Sequence, residues 1–212
     1  MTDYNLYSYW RSSCSWRVRW AMELKGISHT ITPVNLLKSE QFGEEYTTLN
    51  PNSRLPTLAF DGHTISGSLP IIDYLEEKHP EKPLYPNDLL TKAKVRELVN
   101  IIACDTQPIQ NLAVMKYYSE DMDKRKAYAK HWITRGLEAY ETVASKVAGT
   151  YSVGGIITAA DICLIPQVYN AKRFGVDLDK FPTVKRIWEA CMSLDSCKKA
   201  APEQQIDAVK PV

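Results

Sequence analysis

The 212-residue chain has no C-x-x-C pair, no H-E-x-x-H and no cysteine–histidine spacing suited to zinc. A dithiol redox motif is excluded, and no metal is expected. Its five cysteines, at 14, 104, 163, 191 and 197, are odd in number, which argues against a disulfide framework and for reduced thiols. No apolar run approaches the roughly 18 residues that a membrane span needs, and the N-terminus lacks a basic stretch followed by an apolar core. A cytoplasmic protein without a membrane partner is expected. An excess of either charge is missing too: 26 Lys and Arg against 25 Asp and Glu leave +1, so nothing electrostatic invites nucleic acid. Internal repeats and low-complexity segments are absent as well.

What is present is an ordinary globular composition, 44% hydrophobic and 24% charged, long enough for one large domain or two small ones. The first 80 residues alternate strand and helix signals, whereas the rest has almost none of the β-branched alternation of strands. Two domains are therefore expected: 1–80, a Pro-containing linker at 81–87, and 88–212. In the first, Tyr4 to Tyr9 reads as a strand, then a helix stopped by Gly26, then a strand within Ile27 to Val34. Lys38 to Leu49 is loosely helical, and Asn50-Pro51 breaks the chain. Strands at Thr57–Phe60 and His63–Ser66 flank Asp61-Gly62, a dipeptide suited to a two-residue hairpin. Ser68 is read as the cap of a helix that ends at His79-Pro80. The order β-α-β-(α)-β-β-α is that of a thioredoxin-like domain. Leu55-Pro56 leads into the third strand either as a cis peptide, exposing backbone groups to a peptide ligand, or as an ordinary trans proline on a strand edge.

The second domain reads as all-helical: Ala93 to Met115 interrupted by Pro108, Arg125 to Val147, Ala159 to Phe174 and Thr183 to Leu194. Thr158 and Asp161 have capping-box spacing at the third of these helices. Cys104 and Cys163 lie in apolar helical surroundings and are expected to be buried. Gln107, Gln110 and Asn111 share one face if the helix merely kinks at Pro108.

The most informative stretch is Arg11-Ser-Ser-Cys-Ser-Trp-Arg-Val-Arg19. It lies where a strand hands over to a helix, and the start of a helix gathers unpaired N–H groups and about half a positive charge. Hydroxyl and thiol groups there suit a thiolate or another anion, although a lone N-cap serine with solvated neighbours would read the same. Trp16 and Trp20, four apart, read as packing residues.

Tyr7-Ser-Tyr-Trp-Arg-Ser-Ser-Cys-Ser-Trp-Arg-Val-Arg19 resembles the signature of the zeta-class glutathione transferases, whose members act as maleylacetoacetate isomerases. Further matches run in order: Val34 to Lys38, Ile71 to Glu77, Gln107 to Leu112, Ala160 to Leu164 and Pro166 to Phe174. The resemblance implies an α+β two-domain glutathione transferase fold, a thioredoxin-like βαβαββα domain followed by an all-α domain, and a homodimer. It implies glutathione as cofactor, bound by Ser12, Ser13, Cys14, Ser15, Trp16 and Arg17, with Gln41, Leu55, Gly67, Ser68, Gln107, Asn111, Leu112 and Ala113. Ser12, Ser13 and Cys14 become the catalytic candidates. Arg11 and Arg173 become the candidates for the carboxylates of a dicarboxylate or α-halo acid substrate.

Lowering a thiol pKa from about 8.5 to about 6.5 requires about 2.7 kcal/mol. A helix N-terminus supplies about 0.3–1 kcal/mol and a hydrogen bond to a charged acceptor about 1.5–3 kcal/mol, so the two together suffice. Ser13 is the expected principal donor to the glutathione sulfur, with Ser12 in support and Cys14 as the alternative nucleophile. The activity implied is isomerisation of maleylacetoacetate to fumarylacetoacetate in tyrosine and phenylalanine breakdown. The alternatives are maleylpyruvate isomerisation, transferase or dehalogenase activity on α-halo acids, and a non-catalytic binding protein. The sequence departs from the pattern in places. Gly67-Ser68 stands where zeta-class chains carry Gln-Ser, which predicts glutathione binding weaker by about 1 kcal/mol. Arg54-Leu55 replaces Gln-Val, Gly155-Ile156 replaces an acidic pair, and the loop at Ser39 to Phe42 is short.

Overall fold

The computed structural model describes residues 2–209 and begins with β1 (Tyr4–Ser8), whose side chains alternate between buried and half-buried. Helix α1 (Ser13–Lys25) follows and ends at Gly26, whose φ of 71° is the left-handed conformation that a C-terminal cap needs. Then come β2 (His29–Pro33), a 3-10 turn at Glu40–Phe42 and the short α2 (Glu44–Leu49). The hairpin of β3 (Thr57–Phe60) and β4 (His63–Ser66) leads into α3 (Ser68–Lys78). The sheet order is β2-β1-β3-β4, with β1 and β2 parallel and the other pairs antiparallel. Asp61 and Gly62, at φ of 46° and 76°, make the tight turn that the D-G pair predicts.

Five further helices have fully or largely apolar inner faces: α4 (Leu89–Ala103), α5 (Leu112–Tyr118), α6 (Met122–Ala144), α7 (Ala159–Arg173) and α8 (Pro182–Met192). Helix α7 is the centre of this group. Ile162, Leu164, Ile165 and Val168 are fully buried among α4, α6 and α8. Asp161 holds the start of α7 by accepting from the Thr158 N–H at 2.8 Å and the Ser152 N–H at 2.7 Å. Burial nevertheless pushes the Asp161 carboxyl above its ordinary range. A last helix, α9 (Asp195–Ala200), completes the set.

The chain forms two compact units, 1–83 together with 194–212, and 84–193. The sequence reading assigns everything after residue 87 to the second domain. The difference arises because α9 packs on α1: Trp20 Nε1 donates to Ser196 Oγ at 3.3 Å, and Arg19 Nε donates to the Ala200 carbonyl at 3.0 Å. Such long-range contacts leave no periodic trace in sequence.

Three local readings are corrected. Ser68 is the first residue of α3, and Gly67 occupies the cap without a side-chain bond. Helix α4 stops at Ala103 and does not kink at Pro108, so residues 104–110 are turns and Gln107, Gln110 and Asn111 do not share a helix face. For the same reason Cys104, at the C-cap, is exposed, whereas Cys163 is buried inside α7. The segment 104–110 lies against Gly136 of α6, where a Cβ would come within 2.0 Å of Thr106 Oγ1.

Candidate functional site

The serine block occupies the first turn of α1. Ser12 is its N-cap and accepts from the Ser15 N–H at 3.2 Å, and its carbonyl accepts from the Trp16 N–H at 2.9 Å. The N–H groups of Ser13 and Cys14 stand at the open end of the helix, where the orphan donors and the positive end of the dipole lie. Ser13 is 7% exposed, and Ser12, Cys14 and Arg11 are half-buried. The Arg11 guanidinium sits 5.2 Å from the centre of the Trp10 ring. Ser15 and Trp16, predicted as contacts with the rest of the block, are buried within the unit and present almost no surface.

Arg17 is also buried, at 2% exposure, and donates from Nη1 to Ser68 Oγ at 3.2 Å. Its Nε and Nη2 have no hydrogen-bond partner among the described residues. A guanidinium in this setting leaves a positive charge beneath the N-terminus of α3, which adds its own dipole. Beside it, Gly67 has φ 94° and ψ 142°, a conformation almost confined to glycine. The Gly67 N–H donates to the Pro56 carbonyl at 2.9 Å, and the Leu55–Pro56 peptide is cis. The fold thus gathers the block, the proline loop and the Gly67-Ser68 pair.

Leu55 packs its side chain with Tyr9, Val34 and Tyr46. Gln41, in the 3-10 turn, is buried with an unpartnered Oε1 among the described residues. Two supporting residues escape sequence reasoning. Tyr46 donates to the Arg54 carbonyl at 2.6 Å, and Asn50 Nδ2 donates to the same carbonyl at 2.7 Å. They hold the chain immediately before Leu55. Asn50 looks in sequence like a mere breaker, and the only signal for its role is that it precedes a proline.

The remaining predicted residues lie in the second unit. Gln107 is half-buried, and its N–H donates to the Ile102 carbonyl at 2.9 Å. Asn111 is the N-cap of α5, and its Oδ1 accepts from the Ala113 N–H at 3.1 Å, so its side chain has a structural duty. Leu112 is half-buried and Ala113 exposed in the first turn of α5. Gln110 is buried and donates to Gln167 Oε1 at 3.4 Å. Arg173 closes α7, exposed, with its guanidinium 5.0 Å from the centre of the Phe174 ring.

The orphan donors of Arg17 and the open end of α1 suit an anion, and the orphan acceptor of Gln41 suits an N–H donor. No group of three or more potential metal ligands occurs among the described residues, and no described helix is long and apolar enough to cross a membrane.

Comparison with known proteins gives the following. Residues 11–78 match the N-terminal domain family of glutathione S-transferases, and residues 107–199 match the C-terminal domain family. The probable maleylacetoacetate isomerase 2 of Drosophila melanogaster is 50% identical over 95% of this chain and 89% of its own length. The maleylacetoacetate isomerase of Anaeromyxobacter dehalogenans, solved with glutathione in its active site, superposes with a TM-score of 0.90 at 42% identity, covering 98% of this chain and 99% of that one. A bacterial zeta-class maleylpyruvate isomerase superposes at 0.94 with 36% identity, over 97% of this chain and 100% of that one.

Proposed function

The chain belongs to the glutathione S-transferase family, in the zeta class with the maleylacetoacetate isomerases, and we propose that it is a glutathione-dependent isomerase converting maleylacetoacetate to fumarylacetoacetate. The observation that carries the reading is the serine block at the open end of α1, joined through Arg17 to Ser68. Glutathione bound there would supply the thiolate nucleophile for reversible addition to the conjugated cis double bond.

The protein's task is to hold that sulfur ionised. The orphan N–H groups of α1 and the Ser13 hydroxyl supply donors to it, and Ser12 keeps its O–H as a second donor while its oxygen caps the helix. Arg17 and Ser68 supply positive potential and a hydroxyl for a carboxylate of the tripeptide, and Gln41 offers an acceptor to an N–H. Arg11, half-buried beside the serine block, is the residue for a carboxylate of the substrate and for the enolate that develops during addition. A homodimer and a cytoplasmic setting belong to the same reading. Exposed Leu89 and Leu90 on α4 favour the first.

The test is to follow maleylacetoacetate, or maleylacetone, at several glutathione concentrations while measuring total thiol. Loss of the cis isomer with thiol constant is expected, because the thiol is regenerated. Stoichiometric loss of thiol would make the protein a conjugating transferase. Turnover of maleylpyruvate alone would shift the assignment to the activity of the bacterial zeta-class neighbour.

A further inference from the structure

The loop that delivers the serine block, Ser8 to Ser12, is held from both ends of the chain. Arg19, 1% exposed, donates from Nη1 to Ser8 Oγ at 2.9 Å and to the Tyr9 carbonyl at 3.4 Å, and from Nη2 to the Trp10 carbonyl at 3.0 Å. Its Nε reaches the Ala200 carbonyl at the end of α9. The circuit closes at Asp207, whose Oδ2 accepts from the Trp10 N–H at 2.9 Å. Tyr9 in turn accepts from the Ser12 N–H at 2.9 Å, so the clamp is one peptide group away from the cap of α1. Burial lowers the Arg19 guanidinium to about 9, and the nearby Asp207 opposes that shift.

We propose that the C-terminal segment is a working part of the glutathione site, with Asp207 as a positioning residue that sets the Tyr9–Ser12 backbone through the Trp10 N–H and Arg19. The proposal rests on the glutathione-dependent reading above. Asp207 is half-buried and meets the loop at the Trp10 N–H. It acts by fixing where the α1 cap and the hydroxyls behind it stand, and a sulfur bound there feels donors only over hydrogen-bond distances. A segment that sequence reading leaves without a role thereby acquires one. It also follows that binding at the block must tighten the clamp in return, because coupling between two equilibria is reciprocal.

The experiment uses the full-length protein and the variants Asp207→Ala, Asp207→Leu and Asp207→Asn. The readouts are the thiolate absorbance of bound glutathione against pH, the affinity for glutathione, and Tm. Alanine and leucine are expected to raise the bound-thiol pKa by about one unit and to weaken affinity about tenfold, equivalent to about 1.4 kcal/mol each. Asparagine, which still accepts from the Trp10 N–H, is expected to keep most of both. A lowered Tm with thiol pKa and affinity unchanged overturns the proposal, because Asp207 would then serve the fold alone. Should the alanine and leucine variants fail to fold, hydrogen exchange of the Trp10 amide in the natural protein decides. Greater protection on adding glutathione supports the clamp, and unaltered protection despite saturation refutes it. Failure of the natural protein to bind glutathione at all would instead refute the functional reading.

Discussion

The Arg17 guanidinium donates to Ser68 Oγ across 3.2 Å, with both side chains buried. An oxygen that accepts from a cation keeps its own O–H for another acceptor, so Ser68 is set as a donor at the start of α3. Because Arg17 lacks further hydrogen-bond partners among the described residues, it is costly to the free protein and useful only toward an anion. Arg17→Met is expected to weaken glutathione binding about tenfold, about 1.4 kcal/mol, while leaving Tm equal or higher. Ser68→Ala should lose a similar amount and the double variant little more, since the two act in series. Titration calorimetry checks this, and additive losses would show that they act separately.

Ser13→Ala is expected to reduce turnover by about a hundredfold, the loss of one hydrogen bond to a developing anion, with Tm nearly unchanged because Ser12 remains the cap. Cys14→Ala should retain most of the activity. If the cysteine variant is the inactive one and a mixed disulfide with glutathione is found by mass spectrometry, Cys14 is the nucleophile.

Gly67→Gln tests the departure from the zeta-class pattern. The added Cβ meets nothing closer than Pro70 Cδ at 3.6 Å, an ordinary contact, but φ of 94° strains any L residue. Stability should fall by about 1–3 kcal/mol while affinity for glutathione rises about fivefold, close to one net hydrogen bond. Urea denaturation and calorimetry measure the two separately.

Gly136→Ala should destabilise the second unit by about 1–3 kcal/mol. Its Cβ meets buried Thr106, a short side chain that already donates to the Ile101 carbonyl at 2.6 Å. Gly155→Ala, with nothing within 4 Å, is the control and should shift the denaturation midpoint little.

Alkaline pH should weaken the fold. Burial pushes the Cys197 thiol up to about 12, so it stays protonated when folded but ionises when unfolded at its ordinary value of about 8.5. The unfolded chain then binds fewer protons, and the contribution that is whole below about 8.5 is lost as pH climbs toward 12. Cys197→Ala should flatten the fall of Tm across that window. Alkylation of the native protein at pH 8 should mark exposed Cys104 and spare Cys197.

Legibility in sequence followed the range of the interaction. The hairpin strands appear at the residues read from β-branched runs around Asp61-Gly62, because turn chemistry and alternation are local. Asn111 shows what local reading leaves out: only the start of α5 reveals that its side chain caps a helix. The exposure of Cys104 was hidden for a related reason, since nothing in the apolar run before it marks Ala103 as the last helical residue.

By itself the sequence determined the order of strands and helices in the first 80 residues, the glycines that end or turn them, and the hydroxyl-rich block at the start of α1. These depend on backbone preferences within a few residues. Only the tertiary structure decided that Arg17 would donate to Ser68, that Gly136 would accommodate Thr106, and that the last described turns would close on Trp10 through Asp207. Those pairings join residues 51, 30 and 197 positions apart. They follow from which faces a packed core leaves adjacent, a property that no local pattern encodes.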